Sequence, residues 1–182
     1  MKLGDPYRTV KFSEQSMMIV RSAITKTDLR WNEGMLQNSL NKSRKSEVAW
    51  VKDARLCSML FSMAQQMNTA AGWNLNITGI EPVQFGVYSE SDHYNWHIDQ
   101  HTNANKGLVR KISMSLFLNE DYEGGDFDLE IYKPEVDPRY KSFKLPKGSA
   151  IFFQSDRWHR VRPITSGIRK SIVAWFYGSS YT

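Results

Sequence analysis

The chain has 182 residues, 41% of them hydrophobic and 13% aromatic, and a formal net charge of +5 at pH 7. This length buries a substantial core without disulfides or structural metals, and the composition excludes a disordered chain. A single cysteine, Cys57, excludes an internal disulfide and a cysteine-based zinc cluster.

The opening MKLGDPYRTVKF does not read as a secretory signal, and the longest apolar runs, such as IVAWF at 172–176, are too short to cross a bilayer. A soluble, cytoplasmic protein of one domain spanning 1–182 is expected, with no membrane partner. In chain order, KFSEQSMMIVRSAI (11–24) reads as a short helix started by Ser13. Part of the positive charge follows, in Lys26, Arg30, Lys42, Arg44, Lys45, Lys52 and Arg55. With no arginine-rich motif or RNA-binding aromatic pair beside them, these are read as a solvated face. SEVAWV (46–51) looks like a strand. In ARLCSMLFSMAQQMNTA (54–70), Leu56, Met59, Leu60, Met63 and Met67 recur at three and four, the stripe of a core-facing helix, with Asp53 at the N-cap.

From about residue 76 the period changes to two. Val83, Phe85 and Val87 alternate with Gln84, Gly86 and Tyr88; Ile112, Met114, Leu116 and Leu118 alternate with Ser113, Ser115 and Phe117. DFDLEIY, KSFKLP, SAIFFQ, WHRVRP and RKSIVAWFYG continue as short strands, separated by the turn signals EGGD, PKG and TSG. Gly124 and Gly125 are expected to supply positive φ. The order, helices (1–75) and then an antiparallel β half (76–182), implies an α+β protein in which helices buttress a sandwich or barrel-like double sheet.

Three of the four histidines fall in DHYNWHIDQHT (92–102). As a helix this stretch would place His93, His97 and His101 on one face, but Ile98 stands where a metalloprotease helix needs glutamate. As a strand end it places His97 and Asp99 on one side. A His-x-Asp pair alone carries little weight. A third ligand is needed, and the remaining histidine is His159 in FFQSDRWHRVRP, which by itself reads as a histidine held by hydrogen bonds at a strand end; two histidines with one carboxylate would leave three adjacent iron positions open. Ten residues on, Arg169 and Ser171 face one way on a strand, where a guanidinium beside a hydroxyl can hold a carboxylate.

Taken together, HID, WHRVRPITSGIR, DYEGGDFDL and PKGSAIFF resemble the 2-oxoglutarate- and Fe(II)-dependent dioxygenases, in particular the small prolyl-hydroxylase-like branch of bacteria and phages. The resemblance spans about residues 76–180 and implies a double-stranded β-helix, a distorted jelly roll with iron in its open end. It further implies His97, Asp99 and His159 as iron ligands, Arg169 with Ser171 at the distal carboxylate of 2-oxoglutarate, and Tyr88 reaching that co-substrate. Tyr94 matches an aromatic near the substrate mouth. At Phe117 some members carry a second co-substrate tyrosine, and this chain departs from them. His93 and His101 are read as solvated loop residues, and Trp158 and Trp175 as core.

The implied reaction uses O2 and yields succinate, CO2 and a hydroxylated substrate, with ascorbate restoring oxidised iron. A prolyl residue of a peptide or protein is the expected substrate, and the polar segments 32–47 and 132–142 are expected to border the entrance. Two other readings stand beside this one: a non-catalytic jelly-roll binding module, and a basic nucleic-acid-binding protein. Oligomeric state is not legible.

Overall fold

The computed structural model describes residues 4–33, 44–100, 107–131 and 138–180. Strand β1 (Tyr7–Lys11) leads into α1 (Glu14–Lys26), where the Ser13 side chain accepts a hydrogen bond from the Ser16 amide at 3.1 Å. That bond satisfies one of the donors a helix start leaves open. β2 (Trp31–Glu33), β3 (Arg44–Lys45) and β4 (Glu47–Val51) precede α2 (Ala54–Ala70), capped by Asp53, which accepts from the Leu56 amide at 2.7 Å. Where the sequence predicted one strand ahead of α2, the structure has four. The three unforeseen ones are defined by their partners rather than by an apolar alternation, and all of β2 is exposed.

The β half runs β5 (Gly79–Ile80), β6 (Val83–Tyr88), β7 (His93–His97), β8 (Leu108–Phe117), β9 (Tyr122–Gly124) and β10 (Phe127–Glu130). It continues as β11 (Tyr140–Phe143), β12 (Ser149–Gln154), β13 (His159–Val161), β14 (Ile164–Gly167) and β15 (Arg169–Ser179). Two expected turns are partly strand, since β9 and β14 take in pieces of EGGD and TSG and pair with each other. Gly124 and Gly125 do have positive φ, 69° and 64°. A Cβ at Gly124 would lie 2.5 Å from the Pro163 carbonyl oxygen, so this tight connection requires glycine.

The strands form two main antiparallel sheets. The larger has the order β1-β12-β8-β15-β6-β4-β2, with β5 beside β15; the smaller is β11-β10-β13-β7-β3. The larger sheet is covered on both faces, which explains its alternation. Ile112, Met114, Leu116, Ile172, Ala174 and Phe176 pack with Leu56 and Leu60 of α2 and Val20 and Ala23 of α1. The opposite face of the same sheet contributes Phe117 from β8 and Ile151 and Phe153 from β12, which pack with Phe127 and Leu129 of the smaller sheet. Leu56 and Leu60 are wholly buried, each burial worth about 1.5–3 kcal/mol, while Met59, Met63 and Met67 flank them, partly buried. The result is the helix-buttressed jelly roll expected from the sequence. Among the described residues no helix is long and apolar enough to cross a membrane.

Candidate functional site

The polar residues that alternate with the core, Gln84 on β6, Ser115 on β8, and Arg169 and Ser171 on β15, line a cavity of about 530 Å³ between the sheets. Strands β7 and β13 lie side by side with His97 directly opposite His159, so the sheet register alone brings the two imidazoles together, ring centroids 4.1 Å apart. Asp99 follows the end of β7. Its backbone amide and that of Gln100 both donate to the Ser155 carbonyl, at 3.0 and 2.9 Å, which turns its side chain into the cavity wall. Asp99 Oδ1 lies 3.7 Å from His97 Nε2 and Oδ2 lies 3.4 Å from His159 Nε2. The three donor atoms fall within 4.8 Å of one another, close enough to hold one metal ion.

Hydrogen bonding fixes the tautomers. His97 Nδ1 sits 2.8 Å from the Asn95 carbonyl oxygen and His159 Nδ1 is 2.9 Å from that of Arg157. A carbonyl only accepts, so each Nδ1 carries the proton and each Nε2 turns a lone pair toward Asp99, the arrangement seen in metal-ligating histidines. Burial foremost, then the neighbouring His159, pushes His97 down to about 3, so it is neutral at ordinary pH. Burial by itself would push the Asp99 carboxyl up. The His159 and His97 imidazoles and the Ser113 hydroxyl outweigh it and hold the carboxyl well below the usual range. Ser113 is itself paired with Ser155 at 2.9 Å, inside the fold. Tyr94 stacks on His97 with centroids 3.5 Å apart, and burial above all pushes its phenol up to about 12.

Arg169 is 1% exposed, next to Tyr88 in the register of β15 and β6. Its Nη1 donates to Ser171 Oγ at 3.2 Å, while among the described residues Nε and Nη2 have no partner. Leaving a guanidinium unpaired in the interior costs several kcal/mol, about what a ligand carboxylate would offset. The donor set and the orphaned guanidinium therefore fit a ferrous ion and a dicarboxylate in one cavity. Phe117 packs 5.0 Å from the Arg169 guanidinium and brings no hydroxyl. The Tyr122 hydroxyl, which no sequence motif marks, is buried without a partner among the described residues, and the Tyr122 ring and Arg169 both flank Gly125.

Several expectations change. His93 opens β7, half-buried, rather than lying in a loop, and stands outside the metal-competent group. His101 and Lys42 lie outside the described residues, as do most of the two segments expected at the entrance. Trp158, expected in the core, is 48% exposed and lines the cavity, because it directly precedes β13 at the mouth. Trp175 is buried as expected, yet it too lines the cavity, with Arg110 stacked on it at 4.0 Å. The basic region is not simply a solvated face: Arg44 lines the cavity and Lys45 pairs with Asp92 at 3.1 Å. Trp96 and Trp158 also border an adjoining groove of about 190 Å³ with Tyr140, Glu130 and Arg139. That groove is not legible in the sequence, because its residues come from or beside separate strands.

The chain is 32% identical over 158 residues to a PKHD-type hydroxylase of Acaryochloris marina, a match that covers 82% of this chain and 64% of that protein. The chain thus spans less than two thirds of the length of that relative. By structure it resembles a prolyl hydroxylase of Trichoplax adhaerens in complex with a hypoxia inducible factor peptide fragment, TM-score 0.68 and 21% identity, over 94% of this chain and 83% of that one. It is similar to the same degree, TM-score 0.68 and 19% identity, to a viral collagen prolyl hydroxylase of Paramecium Bursaria Chlorella virus-1 in its 2-oxoglutarate complex, over 96% and 97% of the two chains. The sequence pattern of the 2OG-Fe(II) oxygenase superfamily matches residues 83–177, which take in all three metal-competent side chains and Arg169, and the chain belongs to that superfamily.

Proposed function

We propose that the protein is a 2-oxoglutarate- and Fe(II)-dependent dioxygenase that hydroxylates a prolyl residue of a peptide or protein. In this reading His97, Asp99 and His159 hold the iron, Arg169 and Ser171 take the distal carboxylate of 2-oxoglutarate, and Tyr88 reaches the co-substrate. The observation that carries it is the shared cavity: three convergent metal donors and a buried guanidinium with two open nitrogens line the same space. With 2-oxoglutarate and O2, bound iron supplies the oxidation, one oxygen atom going to succinate as CO2 leaves and the other into the substrate C–H bond.

The chain's own part is placement. The backbone carbonyls of Asn95 and Arg157 hold both imidazoles with Nε2 inward. Ser113 orients Asp99, and Tyr94, Phe127 and Phe153 wall off water around the two histidine rings. The aromatic groove continuing past Trp96 and Trp158 supports a peptide substrate, since an extended chain crossing the cavity mouth needs contact on either side. Ascorbate would serve to reduce iron oxidised in turnovers without substrate. The core shared by both helices and the larger sheet supports residues 1–182 as one domain, and a single cysteine fits a reducing, cytoplasmic setting.

The test is turnover. Protein loaded with Fe(II) and 2-oxoglutarate without oxygen is exposed to O2 beside a set of proline-containing peptides, and succinate and the mass gain of one oxygen atom are followed. Hydroxylated proline together with succinate is expected, and His97→Ala abolishes both. Succinate no higher in the native protein than in His97→Ala would refute the reading.

A further inference from the structure

We infer that Arg44 forms a second anion subsite in the cavity, one that takes a carboxylate of the substrate, so that the enzyme selects peptides with an acidic residue close to the hydroxylated one. This rests on the peptide-hydroxylase reading above. Three arginines line the cavity: Arg169 on β15, Arg110 on β8 and Arg44 on β3. Arg110 is neutralised, with Nε and Nη2 donating to the two carboxylate oxygens of Glu81 at 2.7 and 2.6 Å. Arg169 is the co-substrate arginine. Arg44 is left, and its partners are all neutral: Nε donates to Ser46 Oγ at 2.8 Å, Nη2 donates to Gln84 Oε1 at 3.0 Å, and the guanidinium lies over the Tyr94 ring at 4.7 Å.

Among the described residues no carboxylate pairs with Arg44. Nearby cations show the contrast: Lys45 has Asp92, and Arg160 and Arg162 share the buried carboxylate of Asp128. The two segments that directly adjoin Arg44 and Gln100 along the chain, residues 34–43 and 101–106, contain neither aspartate nor glutamate. A cation at a cavity wall, with its fork held in place by fixed neutral acceptors and N–H groups to spare, is a preorganised carboxylate receptor.

Its position sets the distance to the reacting carbon. Tyr94, under the Arg44 guanidinium, stacks on His97, so one aromatic ring separates the subsite from an iron ligand. An extended peptide advances about 3.3–3.6 Å per residue. A carboxylate held at Arg44 therefore belongs to a residue adjacent, or nearly so, to the one whose C–H bond faces the iron. One guanidinium held by Ser46, Gln84 and the Tyr94 ring fits one carboxylate better than a nucleic-acid backbone, whose binding depends on several phosphate contacts at once.

The experiment uses N-acetylated pentapeptide amides with a central proline, flanked by aspartate or by asparagine. Affinity for the oxygen-free protein loaded with Fe(II) and 2-oxoglutarate is read by tryptophan fluorescence, and hydroxylation by mass. The expected result is at least about tenfold tighter binding of the aspartate peptides. Arg44→Gln removes the difference, Arg44→Lys restores part of it, and neither alters 2-oxoglutarate affinity. Equal binding of the two sets by the native protein overturns the inference, and so does a preference surviving in Arg44→Gln, a loss of 2-oxoglutarate affinity in that variant, or a failure of every peptide to bind. Displacement of the aspartate peptide by a single-stranded oligonucleotide that binds more tightly and through Arg44 would assign the subsite to phosphate, and would overturn it too. Arg44-dependent binding of aspartate peptides without oxygen transfer to proline sustains the subsite and removes the prolyl reading alone.

Discussion

Arg169 is buried as deeply as the leucines of the core, yet its charge has only a serine hydroxyl as a hydrogen-bond partner among the described residues. Charge-assisted bonds to a carboxylate are worth about 1.5–3 kcal/mol each, so Arg169→Ala should weaken 2-oxoglutarate binding about 10- to 100-fold. Titration of the iron chelate band would measure this, with iron affinity itself preserved. At His97 the prediction concerns pH. Its value in the fold, about 3, lies below the ordinary 6.5. The associated stability is therefore complete above pH 6.5 and is lost as pH falls toward 3. The metal-free protein should melt at a steady temperature down to about pH 6.5 and progressively lower between 6.5 and 3, with a shallower decline in His97→Gln. The pairs His97/Asp99 and Arg169/Ser171 were legible as shared faces because strand geometry turns a spacing of two into one side, whereas His159, far along the chain, joined them only through the family resemblance. Arg44, Gln84 and Ser113 were not, since Arg44 and Gln84 meet across 40 residues of chain and Ser113 meets Ser155 across 42, which only the folded register brings about. Trp158 was misread because an aromatic residue beside a strand says nothing about which way the mouth of the fold opens.

At the scale of elements, the long periodic ones were legible. The three- and four-residue recurrence in α2 and the two-residue alternation in β6, β8 and β15 each report a buried face. The short edge strands escaped, because β1, β2 and β3 exist through pairing to β12, β4 and β7 and carry little pattern of their own. α2 supports the sheet from outside the cavity, so damage to it separates stability from chemistry. Leu60→Ala, at a fully buried position, should destabilise the protein by about 2–5 kcal/mol in chemical denaturation. Asp53→Ala, which removes the helix cap, should lower stability by about 1 kcal/mol. In both variants the protein that remains folded should keep its chelate spectrum.

In the molecule as a whole, the larger sheet uses its two faces differently, one packing against the helices and the other closing a cavity with the smaller sheet. The proposed site is assembled across that gap: the three metal-competent side chains stand on or beside the smaller sheet, and Arg169, the proposed co-substrate arginine, stands on the larger. Ligands that span the two should hold them together. Iron and 2-oxoglutarate, each at about 100 times its dissociation constant, should each add about 2.7 kcal/mol to stability, seen as a raised melting temperature in the native protein and absent in His159→Ala. The most direct measurement is an oxygen-free titration with Fe(II) and 2-oxoglutarate, followed by visible absorption. One iron per chain, a chelate band that saturates with 2-oxoglutarate, and loss of that band in His97→Ala, Asp99→Ala and His159→Ala are the predicted result. The same band with the same affinity in His159→Ala would contradict it.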